Sequence, residues 1–319
     1  MNPGADSIVY IFAQLLAQPI AQSIVQSIAQ TVCPKVSPFE EAVLNKIQVF
    51  SDFDGTITTR DTVDVLLTEL ADPSWEEVEE EWVQGRIGSR ECMAKQIPLI
   101  RGGWNKVREI LDELTISEGF VEFVDWCKDR LIPVAVVSDG LDRVIQYVLD
   151  KHRIRVDRIY ANHLEESASG EFSLHFSAAP RLAGCQSGVC KCQIAGQAGG
   201  YQTIRVVIGD GRSDFCWSKE ADLLFAKSKL IDHCMSQGIP HNPFDNFFEV
   251  KDALHMCSHG RFDGLVFNKP EVLAPDVILP SLSFGAGAPI ITPVSISSPS
   301  LSPFSSTLPV ATPVAIQKP

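Results

Sequence analysis

The amino-acid sequence predicts an α/β fold, a parallel sheet flanked by helices, with a small helical domain inserted behind the first strand. Three observations predict it. The runs "IQVF" (47–50), "IPVAVVSDG" (132–140) and "TIRVVIGDG" (203–211) are β-branched and apolar, and two of them run into acidic residues. Such unalternating runs suit strands covered on both faces. Helical patterns follow the second and third, "LDRVIQYVLDK" (141–151) and "SDFCWSKEA" (213–221), and strands alternating with helices imply a parallel sheet. Between the first and second strands, "DTVDVLLTELA", "SWEEVEEEWVQG", "SRECMAKQIPLI" and "WNKVREILDELT" all carry helical period. These make about seventy residues, far more than one crossover needs.

Each part of the chain has its reason. Residues 1–40 form a leader in which Gln14, Gln18, Gln22, Gln26 and Gln30 recur at intervals of four, with Pro19 interrupting; a frayed helix or disorder is expected. Residues 41–62 open the α/β core and 131–262 complete it. Residues 63–130 form the helical cap, where Ser74 and Glu77 have capping-box spacing. From 269 to 319 the chain is rich in Pro, Ser and Thr and almost uncharged, the composition of a disordered tail.

Bulk properties narrow the function. A formal net charge of −13 over 319 residues opposes nucleic acid or an anionic membrane as partner, because no broad basic surface is available to replace counterions. No apolar run is long enough for a membrane span, and no basic residue precedes Lys35, so neither a secretory signal nor a transit peptide is expected. Nine scattered cysteines in a chain of this size point to a reducing compartment, and the cytoplasm is the expected location.

The polar residues at the strand ends carry the chemistry. Asp52 and Asp54 follow the first strand; Asp210 and Asp214 follow the third within "GDGRSD". Ligands of open α/β sheets bind at the carboxyl ends of strands. Four carboxylates converging there would repel one another unless a cation joined them, and hard oxygen ligands of this kind suit Mg2+. One carboxylate can then attack phosphorus and another move the proton. Ser138 at the second strand end, with the amides of Asp139 and its neighbours, and Lys191 in "GVCKCQ" supply donors and positive charge for a phosphoryl group.

Taken in order, D-x-D-G-T, hydrophobic-S-D-G, a lysine and G-D-G-x-x-D resemble the four-motif signature of the haloacid dehalogenase superfamily of phosphatases, over residues 46–258. The resemblance implies a Rossmann-like core and a Mg2+-dependent phosphomonoesterase acting on a small phosphorylated metabolite. It implies Asp52 as nucleophile and metal ligand, and Asp54 as general acid/base whose backbone carbonyl also touches the metal. Ser138, Asp139 and Lys191 would bind phosphate, and Asp210 and Asp214 would serve the metal. A helical cap after the first motif is similar to the phosphoserine-phosphatase-like branch. There, Asp61 and Gln96 fall where that branch holds the serine head group with a glutamate and an arginine, which weakens the case for phosphoserine. The segments "WVQGRIGSRECMAKQ", "IYANHLEE" and "CMSQGIPHNPFDNFFEV" look like the phosphatases related to the methionine-salvage enzyme that acts on a methylthio-diketopentyl phosphate.

Alternatives stay open: a phosphoserine phosphatase, a phosphotransferase or mutase, and an inactive binding protein of the same fold. Cys185, Cys190 and Cys192 lack the paired C-x2-C hooks of ordinary zinc sites and read as small loop thiols. The histidines show no ligand spacing, and Trp82 and Trp104 read as cap core, one of them able to face a substrate.

Overall fold

The computed structural model describes residues 43–44, 46–179, 181–197 and 203–269. The Gln-spaced leader and, beyond residue 269, the Pro/Ser-rich tail lie outside them. Among the described residues a seven-stranded sheet runs in the order β4-β3-β2-β1-β5-β6-β7. Its strands are β1 (Ile47–Ser51), β2 (Val134–Leu141), β3 (Arg158–Glu166), β4 (Phe172–His175), β5 (Ile204–Gly209), β6 (Leu223–Ala226) and β7 (Asn242–Pro243). All neighbours pair in parallel except β3 with β4, which form an antiparallel edge.

The unalternating strand sequences are explained by two covered faces. Val49, Val134, Val136, Val206 and Ile208 belong to one core cluster, while Phe50, Ala135, Val137, Val207 and Leu224 belong to another. A period of two thus splits each run between two apolar layers instead of between core and water. β1 lies at the centre, paired with β2 on one side and β5 on the other. The strand order reverses at this point, so a crevice opens beyond the ends of β1 and β5.

The segment between β1 and β2 holds α1 (Thr62–Leu70), α2 (Trp75–Val83), α3 (Ser89–Gln96), a short 3-10 turn at Ile97–Leu99, α4 (Gly103–Asp112) and α5 (Phe120–Asp129). Asp61 caps α1, accepting from the amides of Val63 and Asp64 at 2.9 and 3.0 Å. α5 ends the span expected for the cap and packs toward the sheet: Phe120 lies 4.7 Å, centroid to centroid, from Phe247 of α9 (Phe247–Ser258). The second half adds α6 (Asp142–Lys151), α7 (Lys191–Gln197) and α8 (Lys229–Gln237).

Two local expectations are corrected. Ser74 makes no side-chain cap on α2; its hydroxyl donates to Asp72 at 2.7 Å, so the proton and the geometry are committed to the preceding turn. "SDFCWSKEA" is not an α-helix. A 3-10 turn over Arg212–Asp214 leads into irregular turns, because Asp214 directs both carboxylate oxygens to other partners and Trp217 buries itself under the sheet.

Candidate active site

The crevice at the β1/β5 ends gathers residues that are far apart in sequence. Side-chain oxygens of Asp52, Asp210 and Asp214 all lie within 4.8 Å of one another, a set able to hold a metal ion. Lys191, 1% exposed, reaches Asp52 at 2.7 Å, Asp214 at 2.8 Å and the Ser213 hydroxyl at 2.9 Å. A buried ammonium without such partners would be costly; with them it fixes three loops around one point.

Backbone shape permits this crowding. Gly55 has φ +73°, and a Cβ there would fall 2.5 Å from an Asp210 carboxylate oxygen. A Cβ on Gly209 would meet Asp214 at 2.6 Å. Asp214 accepts the amides of Asp210 and Gly211 at 3.0 Å each, so it braces the turn that carries Asp210. Asp210 in turn accepts the Thr56 hydroxyl at 2.8 Å.

Burial acts on three of these carboxyl groups, Asp52, Asp210 and Asp54. Burial pushes Asp52 well above the usual carboxylate range, with Asp214 adding to the rise and Lys191 opposing it. Burial, then Asp214, pushes Asp210 up to about 6. Burial also raises Asp54, against the hydrogen bonds from Thr62 and Ser138 that favour its charged form. For Lys191, burial disfavours the charge, yet Asp214 and Asp52 outweigh it and hold the ammonium above its ordinary value. The set is acidic, oxygen-rich and under-neutralised by one lysine, as a divalent-cation site requires.

Of the four acids expected to converge, three do. The Asp54 carboxylate turns away from the cluster and accepts the Thr62 amide at 2.8 Å and hydroxyl at 2.6 Å on one oxygen, and the Ser138 hydroxyl at 3.2 Å on the other. Metal ligation by this side chain is not what the geometry offers. Ser138 is buried beside it and also accepts the Gly140 amide at 2.8 Å. The Asp139 carboxylate is committed elsewhere: it accepts the Val189 amide and the Ser89 hydroxyl, both at 2.6 Å, and so ties the β2 end to the lysine loop and to α3. An acceptor-only group cannot hold an anion, so only the Asp139 backbone is left for phosphate.

These ends open into a cavity of about 450 Å3 whose other wall comes from the inserted helices. Asp61 lines it, although its oxygen is occupied in capping α1. Gln96 lines it too, buried, with its amide donating to Glu79 at 2.9 Å. Trp82 and Val83 complete the apolar part with Val63 and Met93, while Trp104 stands outside it, edge-on to Tyr147. The Asp64 carboxylate, reached by solvent, is pushed up to about 6 by the recess, by Glu79 and by Asp54. Sequence reasoning gave no role to Thr56, although the D-x-D-G-T motif contains it, and missed Thr62, Ser213 and Glu79, which have no spacing signature. It also missed Lys227, whose ammonium donates to the Thr56 carbonyl at 3.2 Å. Its position just past the strand run "LLFA" was a usable signal.

Comparison with known proteins shows the family and the fold. A family described as haloacid dehalogenase-like hydrolase matches residues 49–219. The chain is 34% identical over 216 residues to a 2-hydroxy-3-keto-5-methylthiopentenyl-1-phosphate phosphatase of Geobacillus kaustophilus, covering 66% of this chain and 96% of that protein. A protein of the same name from an Exiguobacterium species is 32% identical over 208 residues, covering 63% and 94%. Among solved structures, a probable phosphoserine phosphatase from Vibrio cholerae superposes with a TM-score of 0.51 at 16% identity, covering 68% of this chain and 67% of that one. A cytosolic 5'-nucleotidase IIIB bound to cytidine does so at 0.50 and 14% identity, covering 70% and 89%. At such identities the superpositions speak for the fold alone.

Proposed function

The chain belongs to the haloacid dehalogenase-like hydrolases and is a phosphoric monoester hydrolase, and from that premise we propose that it cleaves a small phosphorylated metabolite through a phosphoryl group carried on Asp52. The observation that carries this reading is the Lys191 ammonium held at 2.7 Å from the Asp52 carboxylate, beside two further acids.

In this reading Asp52 attacks phosphorus, and Lys191 keeps its charge at the oxygens that gain negative charge in transfer. Ser138 donates to the same phosphoryl group, with help from the backbone that follows it. Asp54, oriented by Thr62 and Ser138, gives a proton to the leaving oxygen and later takes one from the attacking water. Asp52, Asp210 and, as a brace or direct ligand, Asp214 would hold Mg2+, with the Asp54 backbone carbonyl as a further oxygen. Bound there, that ion screens the repulsion among the carboxylates and the phosphoryl oxygens. The helices of 63–130 act as a cap that closes over the leaving group and excludes water. Contacts already span the gap: Arg212 donates to the Val83 carbonyl at 3.1 Å and its guanidinium lies 5.2 Å from the Trp82 ring.

For the substrate, we favour a keto or enol phosphate with an uncharged thioether tail, as the names of the relatives suggest. Two features support it. Met93, Val63, Val83 and Trp82 offer a tail an apolar wall. Gln96, tied to Glu79, offers no positive charge to pair with the carboxylate of phosphoserine. The free thiols among the described residues suit the cytosol.

A panel of phosphate esters with Mg2+ tests the reading. The methylthio enol phosphate is expected to give the largest kcat/KM, phosphoserine at least about tenfold less, and acid quench is expected to trap phosphate on Asp52. Release of phosphate with no label on Asp52, or retention of full rate in Asp52→Asn, refutes the mechanism. Preference for phosphoserine refutes the substrate.

A further inference from the structure

One carboxylate joins the inserted helices to the loop that carries Lys191. Asp139 accepts the Ser89 hydroxyl, at the start of α3, on one oxygen and the Val189 amide on the other, both at 2.6 Å. Val189 is buried, and the Lys191 amide donates to its carbonyl at 3.1 Å. The place of Val189 therefore sets the start of α7, whose first residue is Lys191. The Asp139 backbone is held separately: Asn162, buried in β3, donates its side-chain amide to the Asp139 carbonyl at 2.6 Å.

Two further contacts join the same two segments. The Arg90 amide donates to the Gln186 carbonyl at 3.0 Å. Gly88 approaches the loop so closely that a Cβ there would fall 2.4 Å from the Gln186 Cβ. Residues 88–90 of the cap thus rest on 186–189 through backbone and one shared acid.

We propose that Asp139 is a positioning residue that makes the placement of Lys191 depend on a shut cap, with Ser89 as the group through which closure is felt. A carboxylate with a fixed donor on each oxygen is held in one plane, and bonds to a charged acceptor are stronger than neutral ones. When the cap lifts, Ser89 and Arg90 leave together. The carboxylate is then free to turn toward water, the Val189 amide loses its fixed acceptor, and Lys191 stands on a loosened loop. Phosphoryl transfer to Asp52 is thereby reserved for the state in which the leaving group is enclosed. That consequence rests on the phosphatase reading; the coupling itself belongs to the protein without substrate.

Hydrogen exchange of the full chain, without any ester, tests the coupling. In Ser89→Ala the Val189 amide is expected to exchange at least about fivefold faster, with β5 unchanged as a control against general loosening. Ser89→Thr, which keeps the hydroxyl, should restore the slow exchange. With 4-nitrophenyl phosphate and Mg2+, Ser89→Ala is expected to lower kcat about tenfold, the order set by one hydrogen bond to a charged acceptor, and to move KM by less than about twofold. Ser89→Thr should stay within about twofold of the unaltered enzyme in both. In an Asp139→Ala background, Ser89→Ala should cost nothing further. Unchanged exchange at Val189, a loss confined to melting temperature, or additive losses in the double variant overturns the proposal. The exchange and rescue arms use Ser89 variants alone, so they decide even where Asp139→Ala does not fold. Absence of hydrolysis in the unaltered chain would instead count against the phosphatase reading and leave the exchange result standing.

Discussion

The two sides of the cavity are built differently. The floor, from the ends of β1 and β5, is nearly closed to solvent: Asp52, Lys191 and Asp214 are all buried, and each has several partners. The wall, from α2 and α3, is looser. α2 buries none of its residues fully, and its ion pair between Lys95 and Glu81 is open to water. Charges held in a dry, over-determined setting keep their geometry and act strongly on one another, while those in a wet wall are screened and free to vary. In the proposed reading this difference assigns chemistry to the floor and choice of substrate to the wall.

The largest expected effect tests the floor. Asp54→Asn can keep the two bonds from Thr62 on its amide oxygen, gives up acceptance of the Ser138 hydroxyl and cannot carry a proton, so kcat is expected to fall by about 10²–10⁴-fold with a small change in thermal stability. Steady-state kinetics with an alkyl phosphate and a melting curve check this; a rate near that of the unaltered enzyme would break the assignment of chemistry to this side. A smaller effect tests the wall. Glu79→Gln deprives Gln96 of a charged partner at 2.9 Å, which costs on the order of 1–2 kcal/mol, or about tenfold in KM for the true substrate. The kcat for a plain aryl phosphate should stay within about twofold, and an equal loss in kcat would erase the distinction between the two sides.

The smallest effect concerns pH. Asp64 is pushed up to about 6 by the recess, Glu79 and Asp54, with Lys229 pulling the other way. A carboxyl that titrates higher when folded than unfolded adds stability at low pH and loses it as pH rises through its folded value. Without Mg2+, the unaltered chain should therefore lose stability between about pH 4 and 6 that Asp64→Asn does not lose. Solvent reaches the group, so the gain of the variant at pH 7.5 should be under about 1 kcal/mol. Parallel melting curves that never diverge across this range would show that the wall is too wet for its acids to matter.

The sequence alone determined the layered fold and the site's main acids, because buried parallel strands need unbroken apolar runs and the polar residues that end them stand out. Asp52, Asp54 and Asp210 were legible for that reason. Asp214 and Lys191 were legible only as members of an ordered set of motifs. Tertiary structure decided the rest, since it depends on distances that no spacing encodes. It turned the Asp54 carboxylate toward Thr62 instead of the acid cluster, spent Asp139 on a tether and paired Gln96 with Glu79. A residue's chemistry is local and can be read from its neighbours in the chain, but its partners are fixed by how the loops pack.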